Sequence, residues 1–240
     1  MIRAMASQRY WAFLSYSSKD AALVKKLHAR LETYRVPRDL IGRPGLDEPI
    51  PAKLFPVFRD RDELPLAADL GATIQDALAA SRYLIVICSR HSARSQWVNE
   101  EIRYFKSIGR ANRILALIID GEPHASHHAE TADNECFPQA LRFHVDDHGR
   151  ITDQPTEPIA GDLRPGKDGW ELAFLKCIAG ITGCGLNALT AREKKRSRRR
   201  RCILAAAGLL FSAGVVGWWD YTRTKVDYFA EISTRFGVPE

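Results

Sequence analysis

The 240-residue sequence has five cysteines, an odd number, and no apolar run near its start. So few thiols in an odd count argue against a disulfide framework, and burial as small hydrophobes is the simpler reading of Cys88, Cys177 and Cys184. The opening MIRAMASQRY has no apolar signal core and does not read as a secretion signal. The turn after the first strand-like run, SYSSKD, has no GxGxxG, GxxxxGKS or GxxxxGKT, so it offers neither a Rossmann pyrophosphate cradle nor a P-loop. The histidines of HxxHH (His124, His127 and His128) have no nearby cysteine pair or placed carboxylates, so no metal is expected there. No Ser, His and Asp stand at nucleophile-elbow spacing, and no internal repeat is present.

Charge is present but concentrated. The net +6 hides a block, REKKRSRRRR at 192–201, with eight basic residues and one glutamate; removing its +7 leaves −1 for the rest. Directly after it, CILAAAGLLFSAGVVGWW (202–219) carries no charge. As a helix those residues span about 27 Å, close to the ~30 Å hydrocarbon layer of a bilayer. The sequence therefore predicts a cytosolic domain over 1–190, a basic juxtamembrane segment at 191–201, a transmembrane helix at 202–219 and a short extracytoplasmic tail at 220–240. Trp218 and Trp219 suit the far interface, and the cations place the preceding domain in the cytoplasm, beneath the inner membrane. Gly208 with Ser212, and Ala213 with Gly217, have the spacing that lets two spans approach closely. A membrane boundary accounts for the arginines better than a nucleic acid does, so membrane lipid is expected and nucleic acid is not.

The first 190 residues alternate strand-like and helix-like segments. YWAFLSY (10–16), LFPVF (54–58), RYLIVICS (82–89) and RILALIID (113–120) read as strands, with Pro56 implying an edge position. Helical patterns fall over about 20–34, up to Ala80, and over 95–108, with a closing helix at 171–183. A fifth strand is expected near LRFHV, after a short helix at PQAL. The order predicts an α/β fold with a mostly parallel five-stranded sheet and helices on both faces. Ligands of such sheets bind outside the carboxyl ends of the strands. A response-regulator receiver would place an acidic pair after the first strand and an aspartate after the third, where this chain has Ser15 to Ser18 and Ser89.

Within SQWVNEEIRYF (95–105) two glutamates are adjacent but inequivalent. Helical geometry gives Glu100 an ion-pair partner in Arg103, three residues on. Glu101 instead has Trp97, Tyr104 and Phe105 at its i−4, i+3 and i+4 neighbours. A carboxylate against aromatics can be functional, but helices also carry unpaired surface glutamates, and spacing alone does not choose.

FLSYSSKD, FRDRDELPLAADL, SRYLIVICS, SQWVNEEI and ILALIID, in this order and spacing, resemble a TIR (Toll/interleukin-1 receptor) domain over about residues 8–183. The basic block and span that follow look like the bacterial membrane-anchored branch. The resemblance implies a flavodoxin-like fold and cleavage of NAD, as substrate, at its nicotinamide–ribose bond in bacterial defence or signalling. It maps the catalytic glutamate to Glu101 and the NAD-lining positions to Trp97, Tyr16, Ser17, Ser18 and Asp60. It also implies activation by self-association, through the TIR domain and the span. The alternative it leaves is a non-catalytic TIR scaffold for TIR–TIR contacts in signal transduction. The chain has Val98 where a cysteine is common, and no aromatic in the loop after the second strand.

Overall fold

The computed structural model describes residues 8–46, 48–59, 70–146 and 148–236, in two compact units, Met1–Leu189 and Thr190–Glu240. Asp60 and the turn that follows it lie outside the described residues.

In the first unit, β1 (Tyr10–Ser15), β2 (Val57–Arg59), β3 (Ser81–Cys88), β4 (Ile114–Ile118) and β7 (Ala160–Asp162) form one sheet in the order β2-β1-β3-β4-β7. Every neighbouring pair is parallel. The helices are α1 (Ala21–Thr33), α2 (Leu70–Ala79), α3 (Arg90–Ala93), α4 (Gln96–Ser107), α5 (Gln139–Arg142) and α6 (Gly169–Thr182). A hairpin of β5 (Phe143–Val145) and β6 (Ile151–Pro155) forms a separate antiparallel pair.

Side chains alternate across a strand, so β1 feeds two cores. Ala12 and Leu14 join Val24, Leu27 and Leu31 of α1 and Phe174, Ile178 and Ile181 of α6. Phe13 joins Ile74 and Leu78 of α2 and Val98, Ile102 and Phe105 of α4 on the opposite face. The chain leaves β1 toward β2 on one side and resumes at β3 on the other. That reversal is the switch point where open parallel sheets bind ligands.

Two expected strands are corrected. LRFHV supplies β5 of the hairpin rather than the fifth strand of the main sheet, which is β7, only three residues long and without a marked apolar pattern. LFPVF pairs only from Val57 onward; Leu54 is buried while Phe55 is exposed, and β2 is an edge strand, as Pro56 implies.

Several carboxylates in this unit are held below their ordinary range. Burial alone would raise Glu135, but the N–H groups of Phe137 and Ser126, the Ser126 hydroxyl and nearby Arg142 outweigh it. Arg164 does the same for Asp162, and Lys176 for Asp168, each against the effect of burial. A carboxylate that binds protons more weakly when folded contributes stability above its unfolded pKa, near 4, and loses it as pH falls through the folded value. Thermal unfolding of the chain from pH 7 to 3 should therefore show a midpoint that is flat above about pH 5 and falls below it. Glu135→Gln should lower the neutral-pH midpoint and remove part of the acid fall.

The second unit lies on α7 (Leu186–Phe236), one uninterrupted helix of 51 residues that carries the basic block, the apolar run and the start of the tail. It is the one helix among the described residues long and apolar enough to cross a membrane; its most apolar window has a mean hydropathy of 1.8 and none of it is buried.

Candidate active site

The site is built on α4. Ser95 caps its first turn by accepting from the Val98 N–H at 3.4 Å, and Gly109, at φ +79°, closes it in the left-handed conformation that favours glycine. Val98, Ile102 and Phe105 are fully buried, which fixes the rotation of the helix. Phe105 thus belongs to the core rather than to the surroundings of Glu101. Trp97 and Tyr104 remain beside the carboxylate, with Trp97 53% exposed.

With the helix so rotated, the two glutamates separate. Glu100 Oε1 takes Arg103 Nη1 at 2.7 Å on the outer surface, as its spacing predicts. Glu101 Oε2 accepts from the hydroxyl of Ser15 at 2.5 Å, a partner 86 residues away. Ser15 is the last residue of β1 and is 1% exposed, so the bond stands at the switch point of the sheet. One strand over, the Ser89 hydroxyl donates to Asp20 Oδ2 at 2.6 Å and also caps α3.

Glu101 and Trp97 open onto a cavity of about 250 Å³ between α2 and α4, whose walls include Ile74, Gln75, Tyr104 and His148. Glu100 and Arg103 stand at its edge. The β5–β6 hairpin closes one side: Arg103 Nε donates to Gly149 O at 2.6 Å and Lys106 Nζ to Phe143 O at 2.7 Å. Burial pushes Lys106 down to about 8. Glu100 and Arg103 offset each other in their ion pair, which leaves Glu101 to set the charge among the described lining residues, a balance that suits a cationic ligand.

A larger cleft, about 570 Å³, runs along β4, β7 and α6 past Leu115, Leu117, Ile159 and Cys177. It is not the better site for chemistry, because its lysine, Lys176, is already bound to Asp168 at 2.6 Å and its walls are otherwise mainly apolar.

Of the other expected ligand positions, the described ones, Tyr16, Ser17 and Ser18, do not line the smaller cavity. Tyr16 continues the alternation of β1 to the other face and packs against the α1 and α6 core. Ser17 precedes a short turn, Ser18–Asp20, and Ser18 is exposed. Ser15, Gln75 and His148 were not singled out as site residues in the sequence. For Ser15 a signal existed: it shares a strand face with Phe13 and ends an otherwise apolar run.

A TIR-domain family profile matches residues 48–144, which run from before β2 into β5 and include α4. These residues belong to a TIR domain. Among curated proteins it is 30% identical over 230 residues to "NAD(+) hydrolase ApTIR" of Actinoplanes sp., a match that covers 91% of this chain. The chain spans only 30% of that relative's length. Among solved structures, TIR domains of the activated Roq1 resistosome recognising the effector XopQ align at a TM-score of 0.43 and 19% identity, covering 70% of this chain and 96% of theirs. The matched segment carries β2, β3 and β4 of the parallel sheet, and α4 with Trp97 and Glu101 falls inside it.

Proposed function

We propose that this TIR domain hydrolyses or cyclises NAD at its nicotinamide–ribose bond, and that α7 anchors it in the bacterial inner membrane with the domain in the cytoplasm. The observation that carries the reading is the Glu101 carboxylate, held by buried Ser15 at the switch point and opening with Trp97 onto a cavity. The named activity of the Actinoplanes relative supports it.

One carboxylate is enough for this reaction. Glycosidases use two because a departing alkoxide needs a proton. In NAD the ring nitrogen is already cationic; as the C1′–N bond breaks, its electron pair goes to that nitrogen and nicotinamide leaves neutral. Glu101 stabilises the oxocarbenium-like ribosyl cation that remains. Trp97 offers the nicotinamide a flat surface and helps exclude water. A water molecule then bonds to C1′ and releases a proton, giving ADP-ribose; a ring nitrogen of the adenine attacking instead gives the cyclic product. The cavity's 250 Å³ falls just short of the roughly 300–1,000 Å³ of small-molecule sites, so it fits the nicotinamide-ribose end rather than the whole dinucleotide.

The membrane part rests on α7. Arg192 and Arg201 project about 180° apart at 100° per residue, with the other cations between them. A helix lying flat on a bilayer would gather its cations on one face, whereas this ring suits a helix passing through the headgroup layer. Confinement to a membrane raises the local concentration of domains, and the small residues of the span permit close approach, which supports activation by self-association in defence or signalling. Nicotinamide release from NAD by the full chain in vesicles, against the Glu101→Gln variant, tests the enzymatic reading.

A second reading, a non-catalytic TIR scaffold, is favoured by one feature: Ile159, 95% exposed, lies on the rim of the apolar cleft beside edge strand β7. Wild-type chain that never exceeds the Glu101→Gln background, clustered or not, would establish the scaffold.

A further inference from the structure

The bond between Ser15 and Glu101 joins a strand end to the middle of a helix, and each partner explains the other. A hydroxyl that is 1% exposed at the end of β1 must find an acceptor, because an unsatisfied buried polar group costs on the order of 1–3 kcal/mol. An apolar residue or alanine would fill the place without that demand. The strand alternation aims Ser15 at α4, on the same side as Phe13, and the buried stripe Val98, Ile102 and Phe105 turns Glu101 back toward it. Two rigid elements, packed together through Phe13 and the buried stripe of α4, are thus also joined by a hydrogen bond beside the cavity. It is charge-assisted, and at 2.5 Å it lies at the short end for a hydroxyl bound to a carboxylate.

We propose that Ser15 is a positioning residue for Glu101: its hydroxyl fixes Oε2, and with it the plane of the carboxylate that lines the cavity. The proposal rests on the reading of Glu101 as the group that stabilises the ribosyl cation. Ser15 need not touch the substrate. A hydrogen bond to one carboxylate oxygen narrows the rotamers of a side chain with three flexible torsions, and a displacement of about 1 Å at a reacting centre can cost 10²-fold.

The comparison that separates positioning from simple structural support lies one strand over. Ser89 is equally buried and also donates to a carboxylate, Asp20 at 2.6 Å, but that carboxylate does not line the cavity. In the full chain, Ser15→Ala should lower kcat for nicotinamide release about 10- to 100-fold with KM changed little. Ser15→Thr, which keeps the hydroxyl, should restore much of it. Ser89→Ala should lower the unfolding midpoint without that fall in kcat. Equal falls in kcat for Ser15→Ala and Ser89→Ala at matched losses of stability would overturn the proposal.

A second readout does not depend on turnover. With the Glu101 carboxyl carbon followed by 13C NMR, its titration midpoint should rise in Ser15→Ala, because a donor to the charged form has been removed. An unmoved midpoint would also overturn the proposal. A midpoint that moves in a protein with no nicotinamide release would leave Ser15 positioning Glu101 and remove the enzymatic reading instead.

Discussion

Glu101→Gln should reduce nicotinamide release on the order of 10²- to 10³-fold, while Glu100→Gln stays within about tenfold of wild type. The two substitutions are chemically identical and one residue apart, so the contrast tests the helix rotation as well as the chemistry. Glutamine keeps the size of the side chain and still accepts from Ser15, but it lacks the charge that would stabilise a ribosyl cation. Glu100 contributes a half-exposed ion pair with Arg103, a kind worth at most about 1 kcal/mol. Its loss breaks an ion pair at the cavity wall but leaves in place the carboxylate that Ser15 holds. The measurement is nicotinamide formed from NAD by the full chain in vesicles, with unfolding midpoints to show that both variants are folded. An inactive Glu100→Gln beside an active Glu101→Gln would mean that the wrong carboxylate faces the ribose.

The separation of these glutamates was partly legible in the sequence. Arg103 three residues after Glu100 predicted its ion pair, and the apolar positions of α4 set the phase that the core confirms. The aromatic surroundings of Glu101 were only partly as expected, since Phe105 completes the buried stripe and leaves Trp97 and Tyr104. Ser15 was hidden for a different reason. A contact across 86 residues has no local periodicity, and only the pairing of β1 with β3, which sets the strand end opposite α4, brings it about.

The same distinction runs through the fold. The central strands were readable because both of their faces are buried, which forces an unbroken apolar run, as in YLIVIC. The fifth strand was not, because β7 needs only three residues, one of them glycine, to add to the edge at β4. LRFHV carries a better strand pattern, yet it is taken by the hairpin that closes the cavity beside α4. The cavity itself depends on α2, α4 and the hairpin together, and no one segment announces it.

Replacing Leu210 and Phe211 with arginine should move the full chain from the membrane fraction to the soluble fraction. Both side chains are exposed on α7, in the middle of the uncharged run from Cys202 to Trp219. An arginine at the centre of a span costs about 2.5–3.5 kcal/mol on insertion scales, and each leucine or phenylalanine lost gives up a further ~0.3–0.6. Two substitutions therefore oppose insertion by roughly 6–8 kcal/mol, more than a run of only 18 residues with several alanines and glycines can offset. The unit Met1–Leu189 keeps its own core, so its unfolding midpoint should not change. Recovery of the variant in the carbonate-resistant membrane pellet, at the wild-type level, would show that α7 does not anchor the chain by spanning. If it becomes soluble and nicotinamide release also falls at equal protein concentration, the membrane serves to concentrate the TIR domains. Clustering the soluble variant through a fused oligomerisation tag should then restore release, because the tag supplies the local concentration that the bilayer no longer provides.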